Sequence, residues 1–317
     1  MQFSFDECFQ VFPELDTPPD LDQFWEESRN ELMKVPVNAQ LRIQLKKSFG
    51  RENSYDASFD GIDHSRLQAI VSMPKLGAKI PVVIVFHDYL DEPLIARQSG
   101  AQKIAQFHFM LRDHQTGKSV TTVDPDETDP RHLIQDTGLQ EARHNYLWQC
   151  YLDAMRCLDF IRLQKGLASD QIAVIGHGLG GAMAVFLASQ QPQSIRVIAL
   201  ERPALMWYEQ WLKDAQSPMA RETNLLYRPG KGVSRKVRNS LAYLDPLNWS
   251  EKLEMPVLLQ ASMDDAQNPP RPGFGFFNHL RCSKDMQVYL TDETRNWQME
   301  QRLKSLEFIR EHLDLTQ

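Results

Sequence analysis

Apolar positions in the first third of the chain switch between two periods. Leu21, Phe24, Trp25, Ser28 and Leu32 recur at helical spacing after a start that carries Pro13, Pro18 and Pro19, so the pattern predicts an amphipathic helix there. Leu41, Ile43 and Leu45 then alternate, and YDASFDG and LQAIVSMP follow as strand-like runs. The segment IPVVIVF at Ile80–Phe86 is uninterrupted and β-branched, as expected of a strand covered on both faces. The sheet is therefore expected to begin antiparallel and become parallel.

From about Leu94 the pattern alternates between helix and strand. A helical stretch leads into the short run HFML, and apolar residues recur through Leu139–Leu163 at Leu147, Cys150, Tyr151, Ala154, Leu158 and Ile161. Strand IAVI, helix AMAVFLAS, strand IRVIAL, helix ALMWYEQWL, strand VLLQAS, helix GFFNHL, strand MQVYL and a last helix ending near His312 complete the order. Such a βαβα succession specifies a mostly parallel, twisted sheet with helices on both faces. Residues 1–50 read as an N-terminal extension whose helix packs on the core, and 51–317 as the α/β domain proper, one domain overall.

Composition narrows the function. The 317 residues carry 35 Lys+Arg against 42 Asp+Glu, a net charge of −7, which argues against nucleic acid or an anionic membrane as partner. No apolar run reaches the ~20 residues that cross a bilayer, and the start MQFSFDECFQVFPELD lacks a signal-type apolar core, so a cytoplasmic protein is expected. Cys8, Cys150, Cys157 and Cys282 are too sparse for a disulfide scaffold; Cys150 and Cys157 read as small core residues. The acidic string DPDETDP, within residues 113–136, lacks the spacing and glycine of a calcium loop and reads as a hydrated loop. KGVSRKVR reads as a solvated helix face. His108 and His114 have no converging third ligand and read as surface residues, so no metal and no cofactor are expected.

One turn carries candidate chemistry. IAVIGHGLGGAMAVF sets a glycine cluster between a buried strand and an apolar helix. Gly176 and Gly180 occupy the flanking positions of a G-x-S-x-G nucleophile elbow, where any Cβ would collide with strand and helix, but the centre is Gly178, with no hydroxyl or thiol. The same turn satisfies G-x-G-x-x-G through Gly176, Gly178 and Gly181, with Glu201 ending the next strand where a ribose-binding acid belongs. Against NAD(P) binding stands the context, because several strands precede this one and a dinucleotide fingerprint follows the first.

Longer stretches add a resemblance. DLDQFW at Asp20–Trp25, YDASFDGIDHSRLQAIVSMPK at Tyr55–Lys75, IPVVIVFHDY at Ile80–Tyr89 and LQEARHNYLWQCYLDAMRCLDF at Leu139–Phe160 all match one family. So do the glycine turn, LAYLDPLNWSEKLEMPVLLQASMDD at Leu241–Asp265, and Pro269–Pro270. In these segments the chain resembles the acetyl xylan esterase and cephalosporin C deacetylase family of α/β-hydrolases. That family uses a Ser–Asp–His triad in chain order. The resemblance places the acid at Asp265, with Asp264 as its neighbour, the nucleophile at Gly178 and the base at Thr294. It places the oxyanion-hole amides at Leu179 and Tyr89.

By this reading neither the nucleophile nor the base is present. Of the histidines after Asp265, His279 and His312 lie in helical patterns, and His177 beside the empty centre is read as packing. Asp88, Leu90, Asp91 and Glu92 surround Tyr89 and put carboxylates where negative charge should be stabilised, which opposes oxyanion formation. The expectation is a non-catalytic member that binds a small ligand such as an acetylated sugar, or serves in assembly; the resemblance also implies a homo-oligomer. The alternatives are an active carbohydrate or small-ester deacetylase using non-standard groups, and an NAD(P)-binding protein.

Overall fold

The computed structural model describes residues 5–45, 52–75, 79–91, 104–112, 134, 137–226, 232–291 and 297–313. Nine strands form one sheet in the order β1-β2-β3-β5-β4-β6-β7-β8-β9. Their ranges are β1 Gln40–Ile43, β2 Glu52–Asp60, β3 Arg66–Pro74, β4 Ile80–Phe86, β5 Ala105–Met110, β6 Leu167–Gly178, β7 Ile195–Pro203, β8 Val257–Ser262 and β9 Lys284–Tyr289. β1, β2, β3 and β5 pair antiparallel in turn, and every pair from β5–β4 onward is parallel. The expected change from antiparallel to parallel is thus present, and the sheet already begins at Gln40. β4 lies between β5 and β6, which places its continuous apolar run at the centre.

The two faces of the parallel strands bury different residues. Val82, Ile84 and Phe86 of β4 join Ile172, Val174, Ile198 and Leu200 in the main core, whereas Val83, Val85, Ala173, Ile175, Val197 and Ala199 point the other way. This period-two division follows from the alternation of side chains along a strand. The second face is closed by Leu306, Phe308 and Ile309 of the last helix, Trp297–His312. Helices Leu21–Met33, Tyr146–Arg162 and Leu179–Gln190 contribute to the main core. Leu179–Gln190 buries residues 179–188 without a break, as expected of a helix apolar all round.

The N-terminal helix is tied to this core by aromatic packing. Trp25 is fully buried and faces Phe186, Tyr151 and Trp249 at ring distances of 4.4, 5.8 and 5.9 Å, and its indole N–H donates to the Tyr243 carbonyl. The guanidinium of Arg156 donates to the Leu32 and Val35 carbonyls, which satisfies acceptors left open where that helix ends. Cys150 and Cys157 are buried in the core as thiols. KGVSRKVR enters the helix Gly232–Ala242, where Arg235, Lys236 and Arg238 are exposed.

One expectation is corrected, two elements are added, and several expectations fall outside the described residues. His108 is not on the surface: it is fully buried in β5, against Gln106 Oε1 at 2.8 Å, and burial, with the charge of Arg302, pushes its pKa down to about 3. A helix at Pro218–Leu226 and a 3-10 turn at Pro246–Lys252 were not foreseen. The helix expected from Leu94, the acidic string, Glu92, His114 and Thr294 lie outside the described residues. Among the described residues no helix is long and apolar enough to cross a membrane, and no cluster could hold a metal ion.

A buried carboxylate fixes the segment after β7. Asp245 Oδ1 accepts from the Leu247 and Trp207 amides at 2.9 and 3.2 Å, and Oδ2 from the Tyr208 amide at 3.2 Å. It thereby caps the 3-10 turn and holds Trp207 in a left-handed conformation with φ 56°. Burial pushes the Asp245 pKa up to about 7 in spite of the three amides. An unfolded carboxyl titrates near ~4, so the folded chain holds this proton over the interval between. Its contribution is therefore present in acid and is lost as pH rises through about 7. Asp245→Asn keeps an acceptor and removes the titration. The unfolding free energy of the parent minus that of the variant, from urea melts, should fall between pH ~4 and about 7 and level off above; a difference independent of pH would contradict this assignment.

Candidate functional site

The glycine turn closes against the sheet as its spacing requires. A Cβ on Gly176 would collide with the backbone of Gly180, and one on Gly180 with the backbone of Phe86 in β4, so strand and helix meet at a distance that only glycine permits. Gly178 adopts φ 52° and ψ −119°, a left-handed backbone at the strand-to-helix corner. The Gly178 carbonyl accepts from the Ala204 amide at 2.9 Å, which fastens the corner to the end of β7.

Asp88 occupies the space above Gly178. A Cβ built on Gly178 would fall inside the Asp88 carboxylate, overlapping Cγ and both oxygens. Asp88 Oδ1 accepts from the Leu179 amide at 2.7 Å and from the Tyr89 amide at 2.7 Å. These are the two amides that the resemblance gives to the oxyanion hole, and the structure brings them together on one oxygen. Oδ2 accepts from Asn268 Nδ2 at 3.1 Å. The side chain is buried, so a short network of charge-assisted hydrogen bonds replaces its water. Oδ1 also takes the N-terminal amide of helix Leu179–Gln190, where the helix dipole favours negative charge.

Neighbouring side chains hold this arrangement. The Leu111 amide donates to His87 Nε2 at 3.0 Å, so the ring is assigned its proton on Nδ1, which donates to the Asp88 carbonyl at 2.8 Å. The Tyr89 hydroxyl donates to Glu222 Oε1 at 2.8 Å, and Glu222 Oε2 accepts the Ile134 amide. Asn268 has its amide orientation set from two sides: Trp211 Nε1 lies 3.4 Å from its Oδ1, while its Nδ2 faces Asp88. None of Asn268, His87 and Glu222 stood out in the sequence.

Asp265 lies in the loop after β8, in a bed of donors. Its Oδ1 accepts from the Gln267 and Asn268 amides at 2.8 and 2.9 Å, and its Oδ2 lies 3.4 Å from Arg202 Nη1. Burial raises its pKa, opposed by the Asn268 amide and by Arg202. The partner at this carboxylate is thus a guanidinium rather than an imidazole. Asp264 turns the other way and accepts from the Ser262 hydroxyl at 2.7 Å. Arg202 is itself clamped, with Cζ 3.6 Å from the Trp297 ring centroid. It has φ 46°, and Leu205 and Trp207 follow at 63° and 56°. Three left-handed non-glycine residues within six positions store strain of about 1–3 kcal/mol each, a pattern that gathers at functional sites.

His177 is only partly covered. Its Nδ1 is 3.9 Å from Asp91 Oδ2 and its ring is 6.2 Å from that of Trp297, so it stands at the rim of the site. His279 Nε2 donates to the Pro13 carbonyl, and His312 lies against the Phe308 carbonyl; neither belongs to the site. The dinucleotide reading loses its residues. Glu201 is buried and accepts two bonds from Arg302, at 2.9 and 3.0 Å, and one from Ser305 Oγ at 2.7 Å. Burial raises its pKa, but the charge and hydrogen bonds of Arg302 and the Ser305 bond outweigh this and hold it below the ordinary value. A carboxylate so engaged is not open to a ribose, and the helix amide that a pyrophosphate would need is taken by Asp88.

The profile of the family described as acetyl xylan esterase (AXE1) matches residues 1–312. The acetyl esterase Axe7A of Xylanibacter ruminicola is 21% identical over 306 residues, covering 90% of this chain and 67% of that protein. Among solved structures, an acetyl xylan esterase from Paenibacillus sp. R4 superposes with TM-score 0.80 at 21% identity, covering 98% of this chain and all of that one. Acetyl xylan esterase 1 from Thermoanaerobacterium sp. JW/SL YS485 gives 0.76 at 20% identity, covering both chains in full. These superpositions establish an α/β-hydrolase fold, and the profile match over nearly the whole length shows that the chain belongs to the acetyl xylan esterase family.

Proposed function

We propose that this protein is a ligand-binding member of its family that does not turn over esters by the serine mechanism. One observation carries the reading: the Asp88 carboxylate fills the volume above Gly178 and spends both amides on itself. A nucleophile at position 178 has no room, and a substrate carbonyl would meet an acceptor where it needs a donor. Loss of a serine nucleophile alone removes about a millionfold in rate. The Arg202 partner at Asp265 supports the same reading, since a guanidinium does not give up a proton at ordinary pH. Thr294, matched by resemblance to the base, supplies no imidazole.

The second reading, a deacetylase using other groups, draws on His177 alone. It is the imidazole whose charge reaches Asp265, and it borders Asp91. The two readings part on a chromogenic acetyl ester. The protein should give a rate equal to buffer hydrolysis; turnover that co-purifies with it and is abolished by Asp265→Asn would defeat the proposal.

Gly178 and Asp88 should also behave as one exchange. Gly178→Ser forces a side chain into the carboxylate at a left-handed position, which should cost about 1–3 kcal/mol. Asp88→Gly leaves two amides without their acceptor, also about 1–3 kcal/mol. Combined, they relieve the overlap, so urea melts of the double variant should show a loss at least ~1 kcal/mol smaller than the sum; simple additivity would contradict the exchange. It follows that Gly178→Ser with Thr294→His should remain inactive while Asp88 is present. Adding Asp88→Gly is the change expected to expose any surviving esterase capacity, and activity in the pair without it would contradict the blocking role.

A further inference from the structure

Asp245 is tied to the site through the helix it caps. Its carboxylate binds the Leu247 amide of its own turn and, across the chain, the Trp207 and Tyr208 amides where the helix Tyr208–Asp214 begins. From that helix Trp211 reaches Asn268, with Nε1 3.4 Å from Asn268 Oδ1. Just beyond the helix end the Gln216 amide donates to the Ala266 carbonyl at 2.8 Å. Asn268 in turn donates to Asp88 Oδ2 at 3.1 Å. A short run of contacts thus leads from a buried carboxyl to the carboxylate that closes the site. Among the described residues no cation pairs with Asp245, which is buried. Glu209 of the same helix, held by Arg238 at 2.8 Å, acts on it as a like charge and raises its pKa further. From the helix Tyr146–Arg162 the titratable side chain that its charge reaches is Tyr151, whose hydroxyl donates to the Leu244 carbonyl.

A buried carboxyl without a counter-charge keeps its proton well above the ordinary carboxylate range. Oδ1 accepts from two amides and Oδ2 from one, so the proton is taken at Oδ2, and the Tyr208 amide then faces a hydroxyl in place of a carboxylate oxygen. The three amides lower the pKa against burial, so a conformation in which the Tyr208 amide has let go binds the proton more tightly. Linkage fixes the sign: proton uptake favours the loosened conformation, within a fold that acid favours as a whole. We propose that Asp245 is a proton switch for the hold on Asp88. With Oδ2 protonated, the first turn of the helix Tyr208–Asp214 slackens, and Trp211 and Asn268 grip the Asp88 carboxylate less firmly; ionised Asp245 fastens it. The inference rests on the reading that Asp88 closes the site and names how that closure is regulated.

Amide resonances of the isotope-labelled full chain, followed by NMR from pH ~5.5 to ~8.5, test this. Trp207 and Tyr208 should titrate with a midpoint of about 7, and the Asn268 side-chain amide and the Leu179 and Tyr89 amides should move with the same midpoint. Hydrogen-exchange protection of Leu179 and Tyr89, corrected for the intrinsic pH dependence of exchange, should rise as pH passes upward through it. Asp245→Asn, its fold verified by near-ultraviolet circular dichroism, should lose this common transition. Trp211→Phe keeps the carboxyl and removes the indole N–H: Tyr208 should titrate as in the parent, while the Asn268 and Leu179 responses fall away. The parent titration alone can overturn the switch, if Trp207 and Tyr208 do not titrate in this range or if they do so while Leu179 and Tyr89 stay still. A response of the site amides that persists in Asp245→Asn belongs to other groups and overturns it too, as does an undiminished response at Asn268 and Leu179 in Trp211→Phe. Acetyl-ester turnover measured on the same samples reads the closure separately: turnover would defeat the reading of a closed site, whereas site amides that stay still without turnover would defeat only the switch.

Discussion

Two backbone amides and one carboxylate oxygen decide the character of this site. Tyr89 ends the β4 loop and Leu179 opens the helix after β6, yet both N–H groups converge on Asp88 Oδ1 at 2.7 Å. In a water-excluded corner such an arrangement is self-sufficient, because buried donors left alone are costly and a charged acceptor satisfies them strongly. The same donors would stabilise a tetrahedral oxyanion in a working esterase. Here the chain supplies that negative oxygen from its own side chain.

The rest of the fold makes this convergence possible. β4 and β6 are adjacent parallel strands at the centre of the sheet, so their C-terminal ends deliver the Asp88–Tyr89 loop and the Gly178–Leu179 corner to one edge. The close contact of Gly180 with Phe86 draws the helix start toward β4 and shortens the gap that the carboxylate spans. β7 and β8, next in order, bring Arg202 and Asp265 to the same edge, and Asn268 links Asp265 to Asp88 through its backbone amide and its side-chain amide. Ligand sites of open α/β sheets lie at this carboxyl edge because loops from several strands meet there.

Much of the architecture was legible in the sequence, and the reasons are local. Ile80–Phe86 announced a central strand because residues buried on both faces need not alternate, and the glycine cluster announced a tight strand-to-helix corner because nothing larger fits. His108 was misplaced since a short run such as HFML does not tell whether its outer face is covered; Gln106 and the packed sheet cover it. Glu201 had the spacing of a ribose ligand, but Arg302, 101 residues later, claims it. The same limit hid the main feature of the site. Asp88 was visible only as a charge beside Tyr89, while its partners lie 91 and 180 residues away, at Leu179 and Asn268. Contacts of that sequence separation are set by topology, and no local pattern records which oxygen meets which amide.

The position of the Asp88 side chain is the hinge of this account. A crystallographic electron-density map of the protein grown or soaked in acetate near neutral pH would test it most directly. Density for Asp88 Oδ1 is expected within hydrogen-bonding distance of both the Tyr89 and Leu179 amides, with no acetate above Gly178. An Asp88 side chain rotated away, with acetate or water held by those two amides, would contradict it.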